Sequence, residues 1–316
     1  MMPDVYADDT GVALSDVYDV YQAVGQFCGG ISDRISSVSG IAKVNTGIGA
    51  VGTVAAGGAL YSGIKKSQTD KEIENLSEKI CQIGGCDPNK VEAMSDEEFF
   101  ETVFPLLVEM MDLGEEEKIT EVMSLRAEQD AKIAKSKRLG NWRSGLLAGT
   151  LGTNVASAIV AGLNKNQSDL IQQVSACNES VAKLRDVYGT ALAQGINPLE
   201  NPVMETFSKT LNRCGALQVS DVEKIEKRMN VVMGTAIGGA VIGAVGTGTS
   251  IAANTDKVRN DNSESGKKKE NTLNTVSNVA AGANVATGLV ETGFNISLIT
   301  LTKKLMNTAQ ECEDTL

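Results

Sequence analysis

Six cysteines are the residues of this chain best suited to chemistry, and their spacing divides them. Cys81 and Cys86 form a close pair, while Cys28, Cys177, Cys214 and Cys312 stand far apart. With no second close pair and no histidine in the chain, a zinc site lacks its usual ligand set. An even number of cysteines suits disulfides, which persist in oxidising compartments; inert buried thiols are the alternative. The missing histidine also excludes Ser-His-Asp and Cys-His catalysis and titration near neutrality.

Other motifs have plainer readings. Gly47-x-Gly49-x-x-Gly52, with Glu72 about 20 residues on, spells a dinucleotide loop. No strand pattern precedes it, so these glycines suit helix packing. Asp96-Glu97-Glu98 and Glu115-Glu116-Glu117 invite a cation, but both open helices, where the macrodipole favours solvated anions. Lys267-Lys268-Lys269 suits an anionic surface or plain solubility. Trp142-Arg143 stands where an interfacial anchor belongs if the following segment meets a membrane. Neither a nucleophile–base pair nor a phosphate loop in context is found, so we expect no enzyme, cofactor or metal. A net charge of −11 speaks against nucleic-acid binding.

The elements that must position these residues read as helix nearly throughout. Only five prolines occur, and Pro3, Pro88, Pro198 and Pro202 fall in connections. The expected division is an N-terminal segment with a short helix (1–30), then a first long-helix pair (31–194) with an accessory helix at 95–111. A connection and second long-helix pair (195–316) follow, with a mobile polar tip at 255–270. Helix is expected from about Ile31 to Ile83, from Glu115 to about Ala193, from the capping box Ser220-Asp221-Val222-Glu223 to about Asn254, and from about Asn271 to Cys312.

Four stretches carry few charges and much Gly, Ala, Ser and Thr: Val44–Ile64, Ser144–Leu163, Val231–Asn254 and Thr272–Leu301. The ends of the first two, 63–70 and 162–169, match at Gly, Lys, Gln and Asp, which suggests duplication. Small residues recur every fourth position, including Gly49 and Gly57, Gly145 and Gly149, Gly234 and Gly238, and Gly239 and Gly243. On a helix such a stripe lets a neighbouring backbone approach closely, in a soluble bundle or in lipid. Mean hydropathy is about 1.5 for the second and third stretches, about 1 for the first and lower for the fourth, at the border of membrane spanning.

If the four helices run down, up, down and up, Cys81 and Cys86 share the lower pole and the other four cysteines fall near the upper one. A local bridge and two upper bridges follow, their connectivity left open. The expected fold is therefore an all-α, elongated antiparallel bundle of four long helices. The expected role is a non-enzymatic structural or interaction protein of the cell envelope, periplasm or secreted space. Its partners would be further copies of itself or other envelope proteins. The alternative is a membrane-inserting, oligomerising or pore-forming protein. Val5-Tyr6-Ala7 before Asp8-Asp9 has the spacing of a signal-peptide cleavage site, or is a chance triplet.

Overall fold

The computed structural model describes residues 14–91, 116–162, 168–195, 202–255 and 263–316, and positions 98, 102, 105 and 258. It is an all-α bundle. The helices are α1 (Leu14–Cys28), α2 (Ile31–Gly84), α3 (Pro88–Val91), α4 (Glu116–Gly162), α5 (Ser168–Ala193), α6 (Pro202–Cys214), α7 (Val219–Ala253) and α8 (Glu264–Glu313). No strand occurs among the described residues. Long runs without proline let α2 and α8 reach 54 and 50 residues. Gly30 and Gly85, at φ 75° and 67°, take the left-handed conformation that separates α1 from α2 and ends α2.

Three boundaries differ from the sequence expectation. The helix expected from Glu115 to Ala193 is described in two parts, α4 and α5, with 163–167 between them outside the described residues, and α5 opens with Ser168 and Asp169, residue types that favour a helix start. The last helix begins inside the expected polar tip, at Glu264, because the Ser263 hydroxyl accepts the Gly266 N–H at 3.0 Å and caps it. The residues around Ser220 already lie in the first turn of α7, so the capping box sits inside the helix that it was expected to open. The accessory helix expected at 95–111 lies, single positions apart, outside the described residues.

Packing divides the chain into two compact units that do not follow sequence order. The first comprises Met1–Gly47, Ser157–Thr235 and Val290–Leu316; the second comprises Ile48–Ala156 and Ala236–Leu289. In the first, α1 packs on α5, and a continuous apolar core includes Val24, Ile31, Ile35, Leu184, Phe207, Ile225 and Leu305. Tyr21 lies with its ring 5.3 Å from that of Phe207 and donates to the Thr315 carbonyl at 2.9 Å, holding the chain end. The Glu313 carboxylate accepts from the Ser32 N–H (3.0 Å) and hydroxyl (2.6 Å), an anion placed on the N-terminus of α2. In the second unit, Ile80, Cys81, Val91 and Val122 form a small apolar cluster, and Ala59, Leu147 and Ala281 another.

Candidate functional site

Along each long helix the buried positions repeat at alternating spacings of three and four residues. On α2 they run Ile31, Ile35, Val38, Ala42, Asn45, Gly49, Gly52, Ala56, Ala59 and Gly63. On α7 they run Val222, Ile225, Met229, Val232, Ala236, Gly239, Gly243, Gly246, Ser250 and Ala253. The α8 row is Ser277, Ala281, Asn284, Gly288, Glu291, Asn295, Leu298, Thr302 and Leu305, and α4 follows the same rule. A 3.5-residue repeat sustained this long keeps one face of each helix, its seam, turned to the neighbouring helices.

What fills the seam changes along each helix. One part holds Ile, Val, Leu and Met, as in a soluble bundle, and there the outer face carries charges such as Asp33, Arg34, Lys303 and Lys304. The other part holds Gly, Ala, Ser, Thr and Asn, and there the large apolar side chains point outward. Val51, Val54, Tyr61, Ile64, Val155, Ile159, Ile237, Val241, Val245, Ile251, Val279, Leu289 and Ile296 are all exposed, Val54 by 76%. From Val44 to Ile64 no charged residue interrupts α2, a stretch that at 1.5 Å per residue spans ~30 Å. Four helices are long and apolar enough to cross a membrane, with best-window mean hydropathy of 1.3, 1.3, 1.6 and 1.2 in chain order. The fourth has the lowest value of the four, the order expected for it.

Within the second unit, polar side chains pair across the seam. Arg143, fully buried, donates to the Asn274 side-chain oxygen at 3.1 Å and main-chain carbonyl at 2.9 Å. The Ser144 and Ser250 hydroxyls meet at 2.9 Å, Ser277 donates to the Gly246 carbonyl at 3.1 Å, and the Asn154 amide donates to Asn284 at 3.2 Å. Trp142 (64% exposed) and Tyr61 flank the Arg143 level from outside, and the Lys65 ammonium lies 5.9 Å from the Tyr61 ring centre. Nearby, the buried Lys66 ammonium bridges Asp70 (2.8 Å) and Glu270 (3.0 Å).

The glycines of the expected packing stripes divide. Gly49, Gly239 and Gly243 lie on the buried seam. A methyl group at Gly243 would meet the Leu151 backbone at 3.3 Å, and one at Gly239 the Asn154 amide at 2.7 Å. By contrast, a methyl at Gly57, Gly145, Gly149, Gly234 or Gly238 would meet nothing within 4 Å, so these five make no close approach. The reason is angular: a four-residue step turns about 40° beyond a full helical turn, so an every-fourth stripe drifts off a 3.5-residue seam. Gly52, Gly63 and Gly288, which the stripes left out, do abut Thr153, Asn278 and Thr53. Their seven-residue relation to other small or polar residues, Asn284 to Glu291 and Gly288 to Asn295, was the signal that could have found the seam.

The cysteines lie in three bonded pairs: Cys28–Cys177, Cys214–Cys312 and Cys81–Cys86, with Cα separations of 4.8, 4.5 and 4.5 Å. The first two sit side by side in the core of the first unit, where the sulfurs of Cys28, Cys214 and Cys312 lie within 4.8 Å of one another. Each of these sulfurs is engaged in a disulfide and none offers a thiolate to a metal. Cys81–Cys86 closes the end of α2 in the second unit, where the Gly85 N–H also bonds the Cys81 carbonyl at 2.8 Å.

Beyond the apolar-faced stretch, the second unit carries ordinary surface electrostatics. Lys132 bonds Glu72 at 2.6 Å; this hydrogen bond and the charge of Lys132 hold the Glu72 carboxyl below the usual carboxylate range, and the same bond raises the Lys132 ammonium. The Arg126 guanidinium donates to the Gln129 side chain at 2.9 Å, and Gln129 in turn donates to Ser77 at 2.7 Å. Compared with family models, with curated proteins and with solved structures, the chain matches none.

Proposed function

We propose that this chain is a non-enzymatic membrane-inserting helical protein, in which α2, α4, α7 and α8 cross a bilayer with their small and polar seam turned inward and their Val, Ile and Leu faces turned to lipid. The observation that carries this reading is the inverted distribution: apolar side chains exposed over ~30 Å of helix while Asn, Ser, Thr and Gly are buried. In water that arrangement exposes the groups that burial would stabilise, about 1.5–3 kcal/mol for each large side chain fully buried. In lipid the same faces need no cover, and helices associate through small residues and side-chain hydrogen bonds such as Asn154–Asn284. Trp142 and Tyr61 then sit as interfacial aromatics with Lys65 reaching to water.

The role we infer is structural or pore-lining, since buried polar rows are how a helical bundle makes an interior that tolerates water or ions. Three disulfides favour a chain that folds in an oxidising compartment, hence an envelope or secreted protein. Trp142 is the sole tryptophan, so it reports insertion by itself. With vesicles of brominated-chain lipid, its emission should shift to the blue and be quenched, and the protein should float with the vesicles and resist carbonate extraction. A protein that stays monodisperse without detergent, does not float and keeps an unquenched Trp142 would overturn the reading in favour of a soluble bundle.

A further inference from the structure

We propose that Glu291, together with Ser157 and Asn295, forms a binding site for a monovalent alkali cation, Na+ or K+, within the first unit. Glu291 is 1% exposed, and its carboxylate accepts a hydrogen bond from the Ser157 hydroxyl of α4. Among the described residues no lysine or arginine pairs with it. A buried carboxylate answered by one hydroxyl is costly unless a positive charge or a proton joins it. One turn further along the same seam, Asn295 is fully buried, and neither its side-chain oxygen nor its nitrogen has a partner. Two such orphaned atoms on one residue are uncommon, because buried polar groups are almost always bonded.

A fourth oxygen donor comes from α2. Thr53 abuts Gly288 and Asn278 abuts Gly63, so α2 and α8 run antiparallel. Counting seven residues on from Gly288 and eight back from Thr53 brings Asn295 and Asn45 to about the same height. Asn45 is buried too, and its side-chain oxygen is likewise without a partner. The donor set is then one carboxylate, one hydroxyl and two amide oxygens, all hard ligands suited to a hard cation. With a single negative charge, a monovalent ion neutralises the site and a divalent one overcharges it.

This assignment goes beyond the membrane reading and does not need it, because the groups are buried by protein. The test follows thermal unfolding of the full-length protein, by circular dichroism in detergent, in sodium, potassium or choline chloride at equal ionic strength. Either alkali salt should raise the Tm relative to choline, increasingly with concentration, as a ligand of the folded state does. Glu291→Gln should weaken the cation response at least about tenfold, the factor that ~1.4 kcal/mol produces. Asn295→Ala should weaken it less, and Glu72→Gln, on the surface of the other unit, should leave it intact. Should Glu291→Gln fail to fold, the wild-type salt comparison and Asn295→Ala still decide. Identical melting in all three salts would mean that the carboxyl holds only a proton and would overturn the proposal, as would an alkali response that survives Glu291→Gln. Quenching of Trp142, measured separately, shows whether insertion has failed instead.

Discussion

The three disulfides close chain loops of very different length, and this difference yields a worked prediction. Cys28–Cys177 spans 149 residues, Cys214–Cys312 spans 98 and Cys81–Cys86 only 5. In the loop-entropy account these cross-links stabilise the folded state by about 5, about 5 and about 2 kcal/mol respectively. The two large loops do not overlap along the chain, so their contributions should add, to about 10 kcal/mol. That sum is comparable to the whole stability of an ordinary domain. The perturbation is to remove each bridge as a paired substitution, Cys28→Ala with Cys177→Ala and likewise for the others, and to reduce the wild-type protein with a phosphine as a control free of side-chain change. Because Cys28, Cys177, Cys214 and Cys312 are fully buried, the substitutions also remove a packed sulfur, a cost the reduction experiment does not share. Urea unfolding in a fixed detergent, followed by circular dichroism, reads each loss. Either large-loop pair should lower stability by at least twice as much as the Cys81–Cys86 pair. Equal losses from all three pairs, or a greater loss from Cys81–Cys86, would refute the reasoning and assign the stabilisation to native contacts in place of chain entropy.

Further tests follow from individual positions. Gly238→Ala meets open space and should stabilise by up to about 1 kcal/mol through helix propensity, whereas Gly243→Leu must displace the Leu151 backbone and should cost about 1–3 kcal/mol; equal melting temperatures would refute the close approach. Arg143→Lys cannot reproduce the fork that holds both oxygens of Asn274 and should cost about 1–3 kcal/mol by the same melts, with no change counting against the bond geometry. For Glu72, whose folded carboxyl lies below its unfolded value, the stabilising contribution is present above the ordinary carboxylate range and is lost as pH falls through the lowered value. Lys132, raised in the folded state, contributes below the ordinary lysine range and loses that contribution as pH rises through its raised value. Carboxyl NMR titration should therefore return Glu72 to the ordinary range in Lys132→Ala, and an unmoved titration would show that the pair does not form in solution.

How much of this was legible in the sequence depends on which signal carried it. Helix extents were, since proline positions and the Gly29-Gly30 and Gly84-Gly85 breaks bound α2 at Ile31 and Gly84. The phase of the seam was missed. Periodicity is ordinarily found by following large apolar residues, and between Val44 and Ile64 these mark the outer face. Glycine gave no guidance, since it occurs on both faces, buried at Gly49 and Gly243 and open at Gly145 and Gly234. The informative residues were the polar ones: Asn45, Asn154, Asn284, Glu291 and Asn295 sit inward, and their heptad spacing holds the register that the valines hide.

The unbroken heptad phase constrains how such a chain can answer a change of solvent. On α2, Ile31, Ile35 and Val38 share a face with Gly49, Gly52 and Ala56, while Asp33 and Arg34 share the opposite one with Val51 and Val54. Turning the helix about its own axis to hide the valines would drive the aspartate and arginine inward and expel the isoleucines. The same holds for α7, where Ile225 and Met229 lie in line with Gly239 and Gly243. Rolling in place is therefore closed as a route between an aqueous and a lipid form, and any such passage must separate helices from one another. Cys28–Cys177 and Cys214–Cys312 would have to survive it as fixed pivots.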